Sequence, residues 1–336
     1  MIIARTPFRI SFFGGGTDYP TWVKKYGGRV IGTSINHWSY ITCREYPPFF
    51  EHKYRICYSK IETTKSLLEI EHPAVKAVLH YLGYHEKGLE IHYNADLPAR
   101  TGLGSSSAFV VGALNALLAL CNKSLPKQEL ARLAIHIEQD HLNEVVGSQD
   151  QFLTACGGFN QIIFSPDGSI SVYPVIAPVE RIDALQKHLM LFFTGFSRFA
   201  HEVAKSKIAN FEKKEQELLR MQEMVETALH ILQNEAQDLC AFGELLHESW
   251  QLKRGLSEKV SSTAIDAMYT KARHAGAIGG KLLGAGGGGF MLLFVRPEQQ
   301  AAVKEALRDF LFVPFRFEYG GSNIIVHQPS GFVSHV

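Results

Sequence analysis

Pro98-Ala-Arg-Thr-Gly-Leu-Gly-Ser-Ser-Ser-Ala108 is a run of small residues set between two segments of different periodicity. Upstream, Leu89 to Tyr93 alternates apolar and polar side chains, as a half-buried strand does. Downstream, Val110, Val111, Leu114, Leu117 and Leu118 recur at helical spacing with no proline among them. The stretch is therefore a strand-to-helix connection. Its glycines, Gly102 and Gly104, let the backbone approach a ligand closely, and the first N–H groups of the helix have no partner inside it. With the helix dipole, those groups favour an anion such as phosphate. Ser105, Ser106 and Ser107 add three hydroxyls able to reach phosphate oxygens or a magnesium ion. A serine-capped core helix following a glycine turn reads from the same residues, so this loop alone does not decide the matter.

The chain has 336 residues, 46 % of them hydrophobic, which suffices for one large or two medium domains with a sizeable core. Its formal net charge of +1 argues against a broad attraction to nucleic acid or to an anionic membrane, and no macromolecular partner is expected. Cys43, Cys57, Cys121, Cys156 and Cys240 are widely spaced and form no CxxC pair, so neither a disulfide framework nor a zinc site is indicated. Reduced thiols in a cytoplasmic protein are the expectation. The N-terminus lacks a basic segment followed by an apolar run, and no stretch reaches the roughly 18 apolar residues of a membrane span.

Around the central loop, Ile2 to Ala4 and Arg9 to Phe13 read as short strands on either side of Pro7, followed by a sharp turn at Gly14-Gly-Gly16. Thr17 or Asp18 is placed to cap a short helix that holds Pro20 and runs to Tyr26. Val30 to Ser34 and Trp38 to Glu45 read as strands, and the pattern weakens from Pro47 to Ile70. Pro73 and Pro126 open helices, the second running past Asp140. Phe159 to Phe164 and Ile170 to Tyr173 flank the turn Pro166-Asp-Gly168 as a hairpin. Beyond the strand Leu189 to Phe193, the segment from His201 to Ala275 has almost no proline or glycine and should be mostly helical. Strand patterns return at Phe290 to Val295 and around Phe312 to Phe317, with a helix from Pro297 to Phe310 between them. Strands and helices do not alternate regularly, which favours an α+β fold with antiparallel sheets over a doubly wound parallel sheet.

Gly284-Ala-Gly-Gly-Gly-Gly-Phe290 matches GxGxxG literally, but a dinucleotide fingerprint opens a helix and this one leads into the apolar run Phe290 to Val295. Five glycines in six positions point instead to a close approach of backbone to a ligand or to another backbone segment. Two acids complete the pattern: Glu138, and Asp150 twelve positions later in Gly147-Ser-Gln-Asp-Gln-Phe152. Near a phosphate loop, one acid can hold magnesium while the other accepts a hydrogen bond or a proton from an attacking hydroxyl.

Taken together, the three glycine-rich segments and the intervening acids resemble the small-molecule kinases named for galactokinase, homoserine kinase, mevalonate kinase and phosphomevalonate kinase. Arg5-Thr-Pro-Phe-Arg-Ile-Ser-Phe-Phe-Gly-Gly-Gly-Thr-Asp-Tyr19 is similar to the family's first motif, Pro98 to Ala108 to its phosphate-binding second motif, and Gly279 to Phe290 to its third. The resemblance implies two α+β domains, over residues 1–180 and 181–336, with the active site in the cleft between them. It implies ATP and Mg2+ as cofactors, with Pro98, Gly102, Leu103, Gly104, Ser105, Ser106, Ser107 and Ala108 around the nucleotide phosphates. Ser106 and Glu138 are then the metal ligands, and Asp150 and Arg9 the catalytic pair. Asp18, Thr17, Gly16, Gly286, Gly287 and Arg198 are expected at the acceptor, with Arg198, Lys253 and Arg254 as candidates for a phosphate socket. Gly14-Gly-Gly-Thr-Asp18, where many members have Gly-Glu-His, resembles the sugar 1-kinase branch that contains heptose 7-phosphate kinases and the kinase part of fucokinases. The implied partner is a small-molecule sugar or sugar phosphate, and a homodimer is compatible with the sequence.

Overall fold

The computed structural model describes residues 1–195 and 200–328. Its first half runs β1 (Ile2–Phe13), α1 (Pro20–Tyr26), β2 (Gly28–Glu45), β3 (Tyr54–Cys57), β4 (Ile61–Thr64), α2 (Pro73–Tyr81) and β5 (Leu89–Ala95). There follow α3 (Ser105–Leu120), α4 (Lys127–His136), a π-helical turn (Ile137–His141), α5 (Gln149–Cys156), β6 (Phe159–Phe164) and β7 (Ile170–Pro174). The second half holds α6 (Val179–His188), β8 (Leu189–Phe193), α7 (Ala200–Ile208), α8 (Glu215–Gln233), α9 (Cys240–Gly255) and α10 (Thr263–His274). It closes with β9 (Ala277–Leu282), β10 (Phe290–Val295), α11 (Gln300–Ala306), β11 (Leu311–Phe312), β12 (Phe317–Glu318) and β13 (Asn323–His327).

The strands form two sheets, as the irregular order of elements leads one to expect. The larger is ordered β13-β1-β2-β5-β3-β4, with β12 and β6 also on β2 and β7 on β6; the smaller is β11-β8-β10-β9. Among the described residues every pairing is antiparallel except that of β3 with β5. Pro7 does not split β1. It falls where the register against β2 shifts, a position that tolerates a residue with no N–H to donate.

Helix α3 is apolar around its circumference, and all but two of its residues are buried beneath the large sheet, the behaviour of a helix with no solvent face. The far half of β1 is buried on both faces. Phe8, Ile10, Phe12 and Phe13 share one core with Leu191, Phe242, Phe290 and Leu292 of the second half, so the two halves are packed as one body.

Strands β12 and β13, which lie after residue 180 in the chain, pair with β2 and β1 of the first half. Two expectations are corrected. Neither Thr17 nor Asp18 caps α1: Tyr19 holds the N-cap position without a side-chain bond, because Thr17 Oγ1 donates to Gly14 O at 2.8 Å and Asp18 is engaged elsewhere. The helix expected from Pro297 to Phe310 is α-helical only over α11. The five cysteines are all free, and no described helix is long and apolar enough to cross a membrane.

Candidate active site

The loop before α3 is built by left-handed residues. Arg100, Gly102 and Gly104 have φ of 63°, 82° and 75°. Gly104 itself is the N-cap of α3, and no side chain caps the helix. The serine-cap reading therefore fails, since Ser105 Oγ instead accepts the Arg100 N–H at 3.1 Å. The first N–H groups of α3 are left for a ligand, as an anion site requires. Gly102, Gly104, Ser105, Ser106 and Ser107 line a cavity of about 400 Å³. Pro98, Leu103 and Ala108 do not: Pro98 O accepts Thr101 Oγ1 at 2.7 Å, and Leu103 and Ala108 are fully buried, so they hold the loop rather than face what it binds.

Arg9, on β1, spans this loop and α5. Its Nε and Nη2 donate to the two Asp150 carboxylate oxygens at 2.8 and 2.6 Å, a two-pronged pair, while Nη1 donates to Gly102 O at 2.6 Å. Asp150 sits in the first turn of α5 with its side chain 27 % exposed to the cavity mouth, whereas Arg9 is buried. Charge, loop and carboxylate are thereby locked in one register.

Glu138 is wholly buried on the π-helical turn behind the loop. The serine that reaches it is Ser107, whose Oγ lies 2.9 Å from Oε2, with Gln151 Nε2 donating to the same oxygen. Ser106, expected opposite Glu138, instead stands exposed in the cavity. Consecutive residues on a helix point about 100° apart, so only one of the two can face the π-helical turn. Burial pushes the Glu138 carboxyl up to about 8, against the lowering effect of Gln151 and Ser107.

Asp18 also lines the cavity, almost completely buried, accepting the Gly16 N–H at 3.1 Å and the Gln149 N–H at 3.3 Å. Its acidity is reduced first by burial and then by the charge of Asp150. Gly16 shares this wall, but Thr17 is turned away into the fold.

In the third glycine segment the cavity is lined by Gly284 and Ala285, not by the expected Gly286 and Gly287. Gly287 N–H donates to Val260 O at 2.8 Å, and Gly286 lies against the same residue, which draws both out of the cleft. A Cβ on Gly284 would stand 2.4 Å from Gly102 Cα, and one on Gly289 would stand 2.1 Å from Thr101 O. These glycines allow two loops, one from each half, to meet backbone to backbone.

Three buried lysines face the same cavity, and two were not legible as site residues. Lys281 donates to Phe12 O at 2.6 Å, and Lys253 donates to Leu282 O and Gly284 O at 2.6 and 2.7 Å. Lys207 lies 5.5 Å from the centre of the Tyr19 ring. Burial lowers Lys207 to about 8, with Asp18 and Asp150 opposing the shift. It lowers Lys281 to about 7, with Arg9 and Lys207 adding to it, and lowers Lys253 well below the usual ammonium range. Of the other socket candidates, Arg254 pairs with Asp266 at 3.0 Å outside the cavity lining, and Arg198 lies outside the described residues. Lys281 sits in a motif already singled out, so its place was a usable signal; Lys207 sits in a charged helical segment that reads as solvated.

The α+β fold brings to one cleft a glycine- and serine-rich anion loop and an aspartate held by a buried arginine, the parts that a small-molecule phosphotransferase needs. The chain matches the GHMP kinases N terminal domain over residues 69–158 and the GHMP kinases C terminal domain over residues 225–312. It is 30 % identical over 318 residues to D-glycero-alpha-D-manno-heptose 7-phosphate kinase of Campylobacter jejuni, covering 91 % of this chain and 93 % of that protein. It is 26 % identical to the bifunctional fucokinase/GDP-fucose pyrophosphorylase of Arabidopsis thaliana, over 88 % of this chain but 30 % of that longer protein. The crystal structure of a D-glycero-D-manno-heptose 1-phosphate kinase from Bacteroides thetaiotaomicron superposes with a TM-score of 0.79 at 26 % identity, covering 96 % of this chain and 98 % of that one. The chain belongs to the GHMP kinase family and is an ATP-dependent sugar phosphotransferase.

Proposed function

We propose that the enzyme transfers the terminal phosphoryl group of ATP to the anomeric hydroxyl of a sugar phosphate, D-glycero-D-manno-heptose 7-phosphate being the first candidate and the 1,7-bisphosphate its product. The observation that carries this reading is the set Lys207, Lys253 and Lys281, buried in the cavity that also holds Arg9 and Asp150. Burial disfavours the ammonium form of all three, and a dianionic acceptor beside a nucleotide would favour it where a neutral sugar would not.

In this reading the loop from Gly102 to Ser107 cradles the ATP phosphates. Asp150 accepts a hydrogen bond or proton from the acceptor hydroxyl, and the two-pronged contact with Arg9 keeps that carboxylate aimed. An anomeric hydroxyl is more acidic than an ordinary alcohol, so a carboxylate of modest basicity is sufficient. Asp18 and Gly16 contact the sugar.

The residues present suit Mg2+. This hard cation takes one or two protein oxygens and completes its shell with phosphate and water, and no cluster of three or more His, Cys, Asp or Glu able to hold a metal occurs among the described residues. Glu138 is a buried carboxylate with no basic partner among the described residues, one hydroxyl away from the phosphate loop. Glu138 and the Ser107 hydroxyl that meets it, rather than the expected Ser106, would hold the ion, whose charge would offset that of the phosphates.

A neutral-hexose 1-kinase is the second reading, favoured by the main-chain carbonyls that Lys253 and Lys281 already engage. An ATP-consumption assay over heptose 7-phosphate, mannose 6-phosphate, fucose, mannose and galactose, with phosphorus NMR of the product, separates the two. Turnover of the heptose phosphate at its anomeric carbon supports the first; turnover of unphosphorylated sugars alone discards it.

A further inference from the structure

The triplet Gly14-Gly15-Gly16 is not uniform in what it requires of glycine. A Cβ on Gly14 would stand 1.8 Å from Arg29 O, and its φ is +80°. Gly16 has a φ of +110° and a Cβ there would press on Leu218 Cδ2 at 3.2 Å. Both are glycine for the sake of the fold. Gly15 is different. Its backbone is not in the left-handed region, and a Cβ would meet only Ser11 Oγ at 3.7 Å and Gln149 Nε2 at 3.8 Å, ordinary contact distances. Nothing among the described residues forbids a side chain at this position, yet the residue lines the catalytic cavity. The space it leaves belongs to the cavity.

The two side chains beside that space share a second peculiarity. Ser11 and Gln149 are both more than nine-tenths buried and both line the cavity. Ser11 Oγ and Gln149 Oε1 have no hydrogen-bond partner among the described residues. A buried polar atom left unpaired costs about 1–3 kcal/mol, so two of them side by side at a site are a standing cost unless a ligand satisfies them.

We propose that Gly15, Ser11 and Gln149 form the wall that selects the acceptor: the sugar ring lies against Gly15, and its hydroxyls bond to Ser11 Oγ and Gln149 Oε1. The inference rests on reading this cavity as the acceptor site, and it holds whether or not the acceptor carries a phosphate. A side chain at position 15 would occupy the sugar's volume without disturbing the turn, and removal of the Ser11 hydroxyl would cost binding without costing stability.

The test uses the full chain with ATP, Mg2+ and whichever sugar of the panel above the wild-type enzyme turns over best. Gly15→Ala and Gly15→Ser should unfold at the wild-type temperature and leave the KM for ATP within twofold. They should raise the KM for the sugar by about 10-fold or more, the serine more than the alanine, which is the usual effect of one extra carbon in a fitted pocket. Ser11→Ala should raise the sugar KM about 2- to 10-fold while its unfolding temperature stays level or rises, because the free protein sheds an unpaired hydroxyl. A folded Gly15→Ala enzyme with an unchanged sugar KM would overturn the proposal, as would parallel losses for ATP and sugar. So would a Ser11→Ala protein that is less stable with an unchanged KM. If the wild type turns over only an unphosphorylated sugar, the sugar-phosphate assignment falls while these comparisons, made on that sugar, still decide the role of Gly15.

Discussion

Arg9 and Asp150, 141 positions apart in the chain, meet through two parallel hydrogen bonds of 2.8 and 2.6 Å, and the same guanidinium holds Gly102 O in the phosphate loop. One side chain thus sets the distance between the group that would receive the hydroxyl proton and the loop that would hold the phosphates.

Asp150→Asn should lower kcat by at least about 100-fold, the range for loss of a positioned acid or base, while leaving the dissociation constant for ATP nearly unchanged. Steady-state kinetics beside a nucleotide titration check this. Arg9→Lys keeps the charge but cannot make the two-pronged contact, and should also lose kcat. An Asp150→Asn enzyme of normal turnover would remove Asp150 from the chemistry.

Gly284→Ala should be destabilised by about 1–3 kcal/mol or more, because Gly284 has a φ of +68° and a Cβ there would collide with Gly102 Cα. Activity should fall with it, since the collision displaces the phosphate loop. Gly168→Ala is the control: its φ is +86° but no described residue lies within 4 Å, so it should suffer the backbone strain alone and keep its turnover. Thermal unfolding and initial rates distinguish the two.

Lys207→Met and Lys281→Met should each raise the KM for a phosphorylated acceptor by about 10-fold or more and that for its unphosphorylated analogue far less. Equal effects on both acceptors would take these lysines out of the phosphate socket.

The same lysines give a pH dependence of opposite sign for binding and for stability. As pH rises through about 7 for Lys281 and about 8 for Lys207, the cations that attract a dianion are lost, so kcat/KM for the phosphorylated acceptor should fall. Both folded values lie below the ordinary 10.5, so the folded state binds fewer protons than the unfolded chain over that interval. The part of the stability that these groups control is therefore present above 10.5 and is lost as pH falls through 8 and 7. Calorimetry of the ligand-free protein should show a stability increment between pH 7 and pH 9 that Lys281→Met diminishes.

Glu138→Gln retains the shape that meets Ser107 and Gln151 but carries no charge. It should keep the wild-type fold and need about 10-fold or more Mg2+ for half-maximal rate, and chelation of Mg2+ should stop turnover of the wild type. A metal titration of the rate checks both.

What could be read from the sequence is what local backbone chemistry writes there. The connection at Gly102 and Gly104, the hairpin at Pro166-Asp-Gly168 and the crowded glycines before Phe290 each follow from a conformation that few residues adopt, and each lies where it was expected. Side-chain direction is not written in this way. Ser106 and Ser107 are identical in type and adjacent, and only the helix phase assigns one to the cavity and the other to Glu138. Nor does composition reveal that Lys207 and Lys281 are buried, because a lysine reads as solvated until the elements covering it are in place. Of the site's cations, Arg9 and Lys253 were named from the sequence, and Lys207 and Lys281 were not.

The pairing of β13 with β1 bears on how the chain comes to be folded during its synthesis. Ile2 to Arg5 are flanked on one side by β2, available as soon as residues 40–43 emerge, and on the other by residues 323–327. At roughly 5–20 residues per second, that second edge stays open for about 15–60 seconds while the remainder is translated. Closing it requires two segments more than 300 residues apart to meet, a step with a high loop-closure cost. Until those residues arrive, one edge of β1 lies bare beside the residues of the phosphate loop, and an unpaired strand edge is a template for pairing with another chain.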